Sequence, residues 1–205
     1  LVGGIFTIMM KTIAVAKGYL MKDALLLLES VGIVFDLDVL ESRALSFVDR
    51  SKTWTLLSVR PWDVPVYVAR GAADFGIVGY DVLAEQQQYV SVLKDLKFGQ
   101  CSLILATVLS GTPFVLEHNV RVATKYPKCA ERWFCEQGIK VRLIKLYGAV
   151  ELAPLTGLAD IICDLTATGA TLKENGLSVV ETLFASTAQF IANPSAMAFY
   201  YDDVS

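Results

Sequence analysis

The segment Ile161–Leu177 reads IICDLTATGATLKENGL, and it places small and hydroxyl-bearing residues directly after an apolar strand pattern. Small side chains allow backbone N–H groups to approach an anion closely, and a following helix adds the positive end of its dipole. The hydroxyls of Thr166, Thr168 and Thr171 can donate hydrogen bonds to phosphate oxygens. Thr171 and Glu174 have capping-box spacing, which predicts that the helix starts near Thr171. The segment therefore suits a phosphate group, although a plain strand-to-helix turn with capping threonines has the same pattern.

Two acidic residues accompany this loop near predicted strand ends. Asp164 is at the carboxyl end of the predicted strand Ile161–Asp164, where open α/β sheets place their ligand contacts. A carboxylate beside a phosphate suits the hydroxyls of a sugar or a magnesium-bound diphosphate. Glu151 suits hydroxyl recognition too, or is a surface group in the first turn of a helix. The combination predicts a site for a phosphorylated sugar, while Asn175-Gly176 leaves a hairpin open as an alternative.

Basic residues follow or precede other predicted strands. Arg60 comes directly after a strand and before Pro61, and an arginine there can clamp a diphosphate with two parallel hydrogen bonds. Lys17-Gly18 follows the first strand in the same way, and Arg43 is a further candidate. Each of these residues is equally compatible with an ordinary solvated surface.

Histidine and cysteine usage limits the possible chemistry. His118 is the single histidine and falls in a predicted loop, so the reaction should not depend on an imidazole base. No Cys-x-x-Cys pair occurs, so the sequence predicts no metal site made by the protein. Scattered cysteines in apolar contexts are typical of reduced core residues in a cytoplasmic protein. They are Cys101, Cys129, Cys135 and Cys163.

The composition excludes two classes of partner. Hydrophobic residues make up 54% of the 205 residues, yet no run reaches the roughly 18 apolar residues of a membrane span. The net charge of -3 gives no electrostatic footprint for nucleic acid. Leu1–Met9 lacks the basic region and cleavage site of a signal peptide, and Met9-Met10 suggests the natural start. We expect a cytoplasmic protein that holds an anionic ligand locally.

Apolar segments alternate between strand and helix patterns, which predicts an α/β fold with largely parallel sheets. Strands are predicted at Lys11–Ala16, Trp54–Val59, Phe75–Val78, Leu103–Val108, Arg121–Ala123, Lys140–Lys145, Ile161–Asp164 and Phe190–Asn193. Helices are predicted at Leu20–Val31, Asp63–Ala69, Asp81–Gln87, Pro127–Gln137 and Val150–Thr156.

A short internal repeat suggests two similar lobes. Gly71-Ala72-Ala73-Asp74 precedes the strand pattern FGIV, and Gly157-Leu158-Ala159-Asp160 precedes IICD. Each tetrapeptide follows a short predicted helix. The chain is expected to cross between lobes near residues 93–101 and 182–190. The predicted domains are therefore 1–95 with 183–205, and 96–182, with a ligand cleft between them.

Several segments together resemble the short form of ATP phosphoribosyltransferase, the first enzyme of histidine biosynthesis. They are RPWDVPVYVARGAADFGIVGYDVLAE, RVATKYP, IKLYGAVELAPLTGLADIICDLTATGATLKENGL and FIANPSA, and they are dispersed over most of the chain. The resemblance implies two lobes of the type II periplasmic-binding-protein kind, with the active site in the cleft. It also implies that N1 of ATP attacks C1 of phosphoribosyl pyrophosphate, giving phosphoribosyl-ATP and pyrophosphate. Mg²⁺ would be carried by the substrates rather than by a protein site.

The resemblance also assigns roles to individual residues. Arg60 and Arg43 are implied to be catalytic, facing the pyrophosphate and ATP. Lys17, Gly18 and Tyr19 are implied to bind ATP and pyrophosphate. The residues implied to bind phosphoribosyl pyrophosphate are Glu151, Asp164, Thr166, Ala167, Thr168, Gly169, Ala170 and Thr171.

The resemblance also implies a regulatory partner, and the chain departs from the family pattern at two positions. The short form implies a homodimer within a hetero-oligomer, whose regulatory subunit is related to histidyl-tRNA synthetase. Tyr19 stands where the family usually has arginine, and Tyr80 where it often has lysine. Two cations expected near anionic ligands are thus absent. The alternatives are a weakened paralogue, or a two-lobed protein that binds a small ligand without chemistry.

Overall fold

The computed structural model describes residues 10–36, 42–108 and 114–199, which alternate between strands and helices. The strands are β1 (Lys11–Ala16), β2 (Ser46–Val48), β3 (Trp54–Val59), β4 (Phe75–Gly79), β5 (Ser91–Asp95), β6 (Cys101–Val108), β7 (Val120–Thr124), β8 (Val141–Lys145), β9 (Ile161–Thr166), β10 (Leu177–Ser186) and β11 (Ala188–Ala192). The helices are α1 (Met21–Ser30), α2 (Val64–Ala69), α3 (Tyr80–Gln86), α4 (Pro127–Glu136), α5 (Leu152–Leu155), α6 (Ala170–Glu174) and α7 (Pro194–Phe199).

The chain divides into two compact units, each built around one sheet. The first unit contains residues up to Leu83, Gln87–Gly99 and the residues from Thr187 onward; the second contains Ala84–Gln86 and Gln100–Ser186. The domain ranges proposed from the sequence, 1–95 with 183–205 and 96–182, stay a prediction.

The first sheet has the strand order β2-β3-β1-β4-β11-β5. Its central strand β1 is almost entirely apolar because helices cover both faces of the sheet. Ile13 and Val15 pack beneath α1, whereas Ala14 and Ala16 pack beneath α2 and α3. Gly76 of β4 allows α2 to lie close, since a Cβ there would come within 2.9 Å of Val64.

The second sheet has the order β10-β6-β9-β7-β8. Helices α5 and α6 cover one face through Ala153 and Leu172, which pack with Ile104 and Ile162. Helix α4 runs beside β8, and its Phe134 is fully buried. Strand β9 is central, so its first three residues are buried on both faces.

The structure confirms the internal repeat. In the first unit the Asp74 carboxylate accepts the N–H of Thr12 at 2.8 Å, and the Asp74 N–H donates to the Thr12 carbonyl at 2.9 Å. In the second unit Asp160 makes the same pair of bonds with Arg121, at 2.8 and 2.9 Å. Each aspartate thus ties the strand that it precedes to the start of the neighbouring parallel strand.

Both sheets are mixed, which corrects the expectation of largely parallel sheets. Parallel pairing is confined to β3-β1-β4 and β8-β7-β9, while β2, β5, β6, β10 and β11 pair antiparallel. A parallel pair needs a crossover connection, whereas the short connection between β2 and β3 suits antiparallel pairing. The strands β2, β5 and β10 were not predicted, because each is at a sheet margin and has few fully buried residues, which leaves a weak apolar pattern. In the part of the chain that the structure describes, no helix is long and apolar enough to span a bilayer.

Candidate functional site

The loop after β9 folds into a tight turn. β9 extends to Thr166, two residues beyond its predicted end. The Thr166 Oγ1 accepts the N–H of Gly169 at 2.9 Å, and Gly169 has a positive φ of 74°. Glycine adopts this left-handed conformation without strain, and α6 begins at the next residue. Ala167, Thr168, Ala170 and Thr171 are all exposed around this turn.

The predicted capping box is wrong. Gly169 is the residue that precedes α6, and no side chain caps the helix. Thr171 lies inside the helix, where its carbonyl accepts the Asn175 side-chain N–H at 2.8 Å. The glycine starts the helix earlier than the threonine spacing suggested, because its positive φ turns the chain directly from the strand into the first helical turn.

Asp164 is half-buried near the end of β9, and its Oδ1 accepts the N–H of Leu165 at 2.8 Å. The pKa of the Asp164 carboxyl is raised to about 6. Burial is the main cause and the negative charge of Glu151 adds to it, whereas the Leu165 N–H and the positive charge of Lys125 act in the opposite direction. A carboxyl whose pKa is raised by burial at a strand end is typical of a functional site. Glu151 itself is half-buried and directly precedes α5.

Lys125 is a candidate that the sequence analysis missed. It directly follows β7, which pairs in parallel with β9, so it lies at the same sheet edge as Asp164. The argument applied to Lys17, a cation directly after a strand, would have selected Lys125 from RVATKYP. The carboxyl edge of the second sheet therefore brings together Lys125, Glu151, Asp164 and the loop that follows β9.

The basic candidates of the first unit also share one sheet edge. Strands β1 and β3 are parallel and in register, and the Lys17 N–H donates to the Val59 carbonyl at 2.7 Å. This bond places Lys17 beside Arg60, the residue after Val59. Gly18 follows with a φ of 98°, and the Tyr19 side chain is 72% exposed.

Arg43 and Tyr80 belong to the same edge. Arg43 is exposed and precedes β2, which runs antiparallel to β3, and the Leu45 carbonyl accepts the Ser58 N–H at 2.8 Å. Tyr80 directly follows β4 and is 42% exposed. The structure thus gathers the predicted site residues into two sets, one at the carboxyl edge of the parallel strands in each unit.

Other features lie away from these edges. An apolar cavity of about 560 Å³ lies beneath α1 in the first unit, lined by Leu28, Trp54 and Phe190 among others, and none of the predicted site residues lines it. His118 is exposed, and its Nδ1 accepts the N–H of Lys140 at 3.2 Å. Over the described ranges, no group of three or more histidine, cysteine or acidic residues is arranged to hold a metal ion.

The family model and the relatives that match this chain carry the same description. A family model described as HisG: ATP phosphoribosyltransferase matches residues 60–204. The ATP phosphoribosyltransferase of Rippkaea orientalis is 44% identical over 201 residues, which cover 96% of this chain and 95% of the relative. That of Prochlorococcus marinus subsp. pastoris is 46% identical over 192 residues, covering 92% of this chain and 89% of the relative.

Two solved structures also resemble this chain. A chain of the ATP phosphoribosyl transferase (HisG:HisZ) complex from Thermotoga maritima matches with a TM-score of 0.80 and 32% identity, covering 95% of this chain and 93% of that chain. The periplasmic aliphatic sulphonate binding protein SsuA from Escherichia coli matches with a TM-score of 0.64 and 12% identity, covering 96% of this chain and 69% of that chain. The second match shows that the fold is of the periplasmic-binding-protein kind. By its sequence and its structure, this chain belongs to the ATP phosphoribosyltransferase family.

Proposed function

We propose that the loop after β9 binds the 5′-phosphate of phosphoribosyl pyrophosphate, and that Asp164 and Glu151 bind its ribose hydroxyls. As a member of its family, the chain is an ATP phosphoribosyltransferase, a glycosyltransferase of histidine biosynthesis. The observation that carries the site assignment is the turn closed by the Gly169 N–H and Thr166 Oγ1, at 2.9 Å, with exposed small residues around it. Such a turn leaves room for a phosphate group against the backbone.

The reaction makes modest acid–base demands. The nucleophile is a ring nitrogen, N1 of ATP, and the anomeric carbon C1 develops positive charge as pyrophosphate leaves. Catalysis then rests on holding the two substrates in line and on neutralising the leaving group. This agrees with a site in which cations and backbone amides are the main chemical groups.

Arg60 and Arg43 are proposed to bind the departing pyrophosphate, and the Lys17–Tyr19 loop to bind ATP. Support comes from their common position at one edge of the first sheet, where Lys17 and Arg60 are neighbours. Arginine matches the geometry of phosphate oxygens with two hydrogen bonds, and a glycine after the lysine permits close approach of the backbone.

Magnesium is proposed to arrive with the substrates. Mg²⁺ prefers oxygen ligands and commonly binds substrate phosphates, so the diphosphate of the substrate can carry the ion without a site made by the protein. When bound, the ion would neutralise part of the pyrophosphate charge, and the protein's share is to orient the ribose and the phosphates.

The partner is also part of the proposal. The Thermotoga maritima chain that matches at 32% identity comes from a HisG:HisZ complex. We expect this chain to form a homodimer within a hetero-oligomer, with a regulatory subunit related to histidyl-tRNA synthetase. A cytoplasmic location belongs to the same proposal because the reaction consumes ATP.

Mass spectrometry tests the activity directly. Phosphoribosyl-ATP should form from ATP, phosphoribosyl pyrophosphate and Mg²⁺, and more of it should form when the candidate regulatory subunit is added. Asp164→Ala should abolish binding of phosphoribosyl pyrophosphate in calorimetry, while Glu174→Gln, an exposed carboxylate at the end of α6, should leave it unchanged. Unaltered binding by the Asp164 variant would remove the loop assignment.

Tyr19 and Tyr80 support a second candidate, a catalytically weakened paralogue. Both are exposed at the edge where the family usually supplies cations. Tyr19→Arg should then raise turnover or ATP affinity. If neither changes, this second candidate loses its main support.

A further inference from the structure

Two buried threonine hydroxyls bond to backbone carbonyls at two points along β9. Just before its first residue, the Thr107 Oγ1 donates to the Asp160 carbonyl at 2.9 Å. At its third residue, the Thr124 Oγ1 donates to the Cys163 carbonyl at 2.6 Å. Both threonines are buried. The two bonds are of the same kind, but only the second lies beside the candidate site.

The Thr124 hydroxyl also makes a second bond, to the turn that carries Lys125. It accepts the N–H of Tyr126 at 2.8 Å, so one oxygen links β9 to the turn after β7. Lys125 lies between the two residues of that turn, and Asp164 follows Cys163 in β9. The hydroxyl therefore fixes the two backbone segments that carry the cation and the carboxylate of this edge.

A second anchor holds the far side of the same turn. The buried Glu85 carboxylate accepts the N–H groups of Lys128 and Cys129, at 3.0 and 2.8 Å, in the first turn of α4. The segment from Lys125 to α4 is thus fixed on both sides. Because the backbone of this segment is already ordered, binding a ligand there carries no further cost for ordering the backbone.

We propose that Thr124 is a positioning residue for phosphoribosyl pyrophosphate, because it holds Lys125 beside Asp164 so that the cation meets the anionic substrate while the carboxylate meets its ribose. The inference rests on the proposed function of the loop after β9. Lys125 contacts the substrate, and Thr124 acts only through Lys125 and Asp164.

Thr124→Val removes the hydroxyl and keeps the shape of the side chain. We expect the dissociation constant of phosphoribosyl pyrophosphate, measured by calorimetry on the full chain, to rise about tenfold, which corresponds to about 1.4 kcal/mol. Thr124→Ser keeps a hydroxyl and should restore most of the affinity. Thr107→Val is the matched control. It removes the bond from Thr107 to the Asp160 carbonyl, just before β9, and should change the affinity less than about twofold.

A double-mutant cycle separates positioning from general destabilisation. Lys125→Met should weaken binding by itself, and combined with Thr124→Val the loss should be smaller than the sum of the two single losses, since part of the Thr124 effect acts through Lys125. Combined with Thr107→Val, its effect should be additive.

The inference is overturned if Thr124→Val binds the substrate as Thr107→Val does, or if Lys125→Met binds as the wild type does. If Thr124→Val fails to fold, wild-type binding by Lys125→Met still overturns the inference. Failure of the wild-type chain itself to bind phosphoribosyl pyrophosphate would instead remove the proposed function.

Discussion

Replacing Asp164 with asparagine should stabilise the substrate-free protein at neutral pH. The folded structure raises the pKa of this carboxyl from its ordinary value of 3.8 to about 6, chiefly through burial. The ionised carboxylate is therefore less favourable in the folded state than in the unfolded chain. Asparagine keeps the size of the side chain and an oxygen that can accept the Leu165 N–H, and it removes the charge.

The size and sign of the effect follow from proton linkage. Each pKa unit corresponds to about 1.4 kcal/mol, so the full shift is worth about 3 kcal/mol, and partial exposure of the side chain reduces this to about 2 kcal/mol. Below the unfolded pKa both states are protonated and no penalty exists. As the pH rises through the window from 3.8 to about 6, the unfolded chain releases this proton before the folded protein does. The free energy of unfolding therefore falls across this window.

Urea unfolding of the wild type and Asp164→Asn between pH 4 and pH 8 measures this directly. The free-energy difference between the two proteins should grow with pH and level off above pH 7, with the variant more stable. Glu174→Gln, an exposed carboxylate nearby in the chain, should show no such trend. A constant difference across the pH range, or a variant less stable than the wild type at pH 7.5, would refute the reasoning. The same variant should bind phosphoribosyl pyrophosphate more weakly, since function and stability make opposite demands on this group.

Three further predictions concern the fold. Gly76→Ala should lower the free energy of unfolding by about 1 to 3 kcal/mol in urea titration, because its methyl group would meet α2. A thiol reagent should label the exposed Cys135 in the folded protein but not Cys163, since burial raises the pKa of the Cys163 thiol; rapid labelling of Cys163 would contradict its burial. Arg121→Ala should lower the free energy of unfolding only slightly at neutral pH, because both partners of its 2.6 Å bond to Asp160 are partly exposed. That cost should disappear in acid, because the side-chain bond from Arg121 lowers the pKa of Asp160 and its stabilisation is lost as pH falls below the unfolded value of 3.8.

Local sequence signals predicted the features that depend on neighbouring residues. The strand Lys11–Ala16 is observed with the same bounds, and the repeated Gly-x-Ala-Asp motif forms the same backbone bonds in both units. The alternation of apolar segments sufficed for the α/β class. The strand ends then led to the candidate loop after β9, because ligand contacts concentrate where parallel strands end.

Features that depend on distant residues were missed. Lys125 was missed because the strand before it was predicted to end at Ala123, whereas β7 continues to Thr124 and Lys125 follows it directly. The strand β10 was not predicted because its exposed residues, such as Val179, belong to a sheet margin that has no clear alternation. The capping box at Thr171 failed because Gly169 changes the backbone direction before the threonine is reached.

The position of β11 has a consequence for biosynthesis. It is the last of the described strands in the chain, yet it lies inside the first sheet, between β4 and β5. While the ribosome is still making the preceding residues, the inner edge of β4 and the whole of β5 have no native neighbour. Unpaired strand edges favour association between chains. The nascent polypeptide therefore keeps these edges of β4 and β5 unpaired until β11 has been made, so the first sheet cannot be completed before the whole second unit has been synthesised.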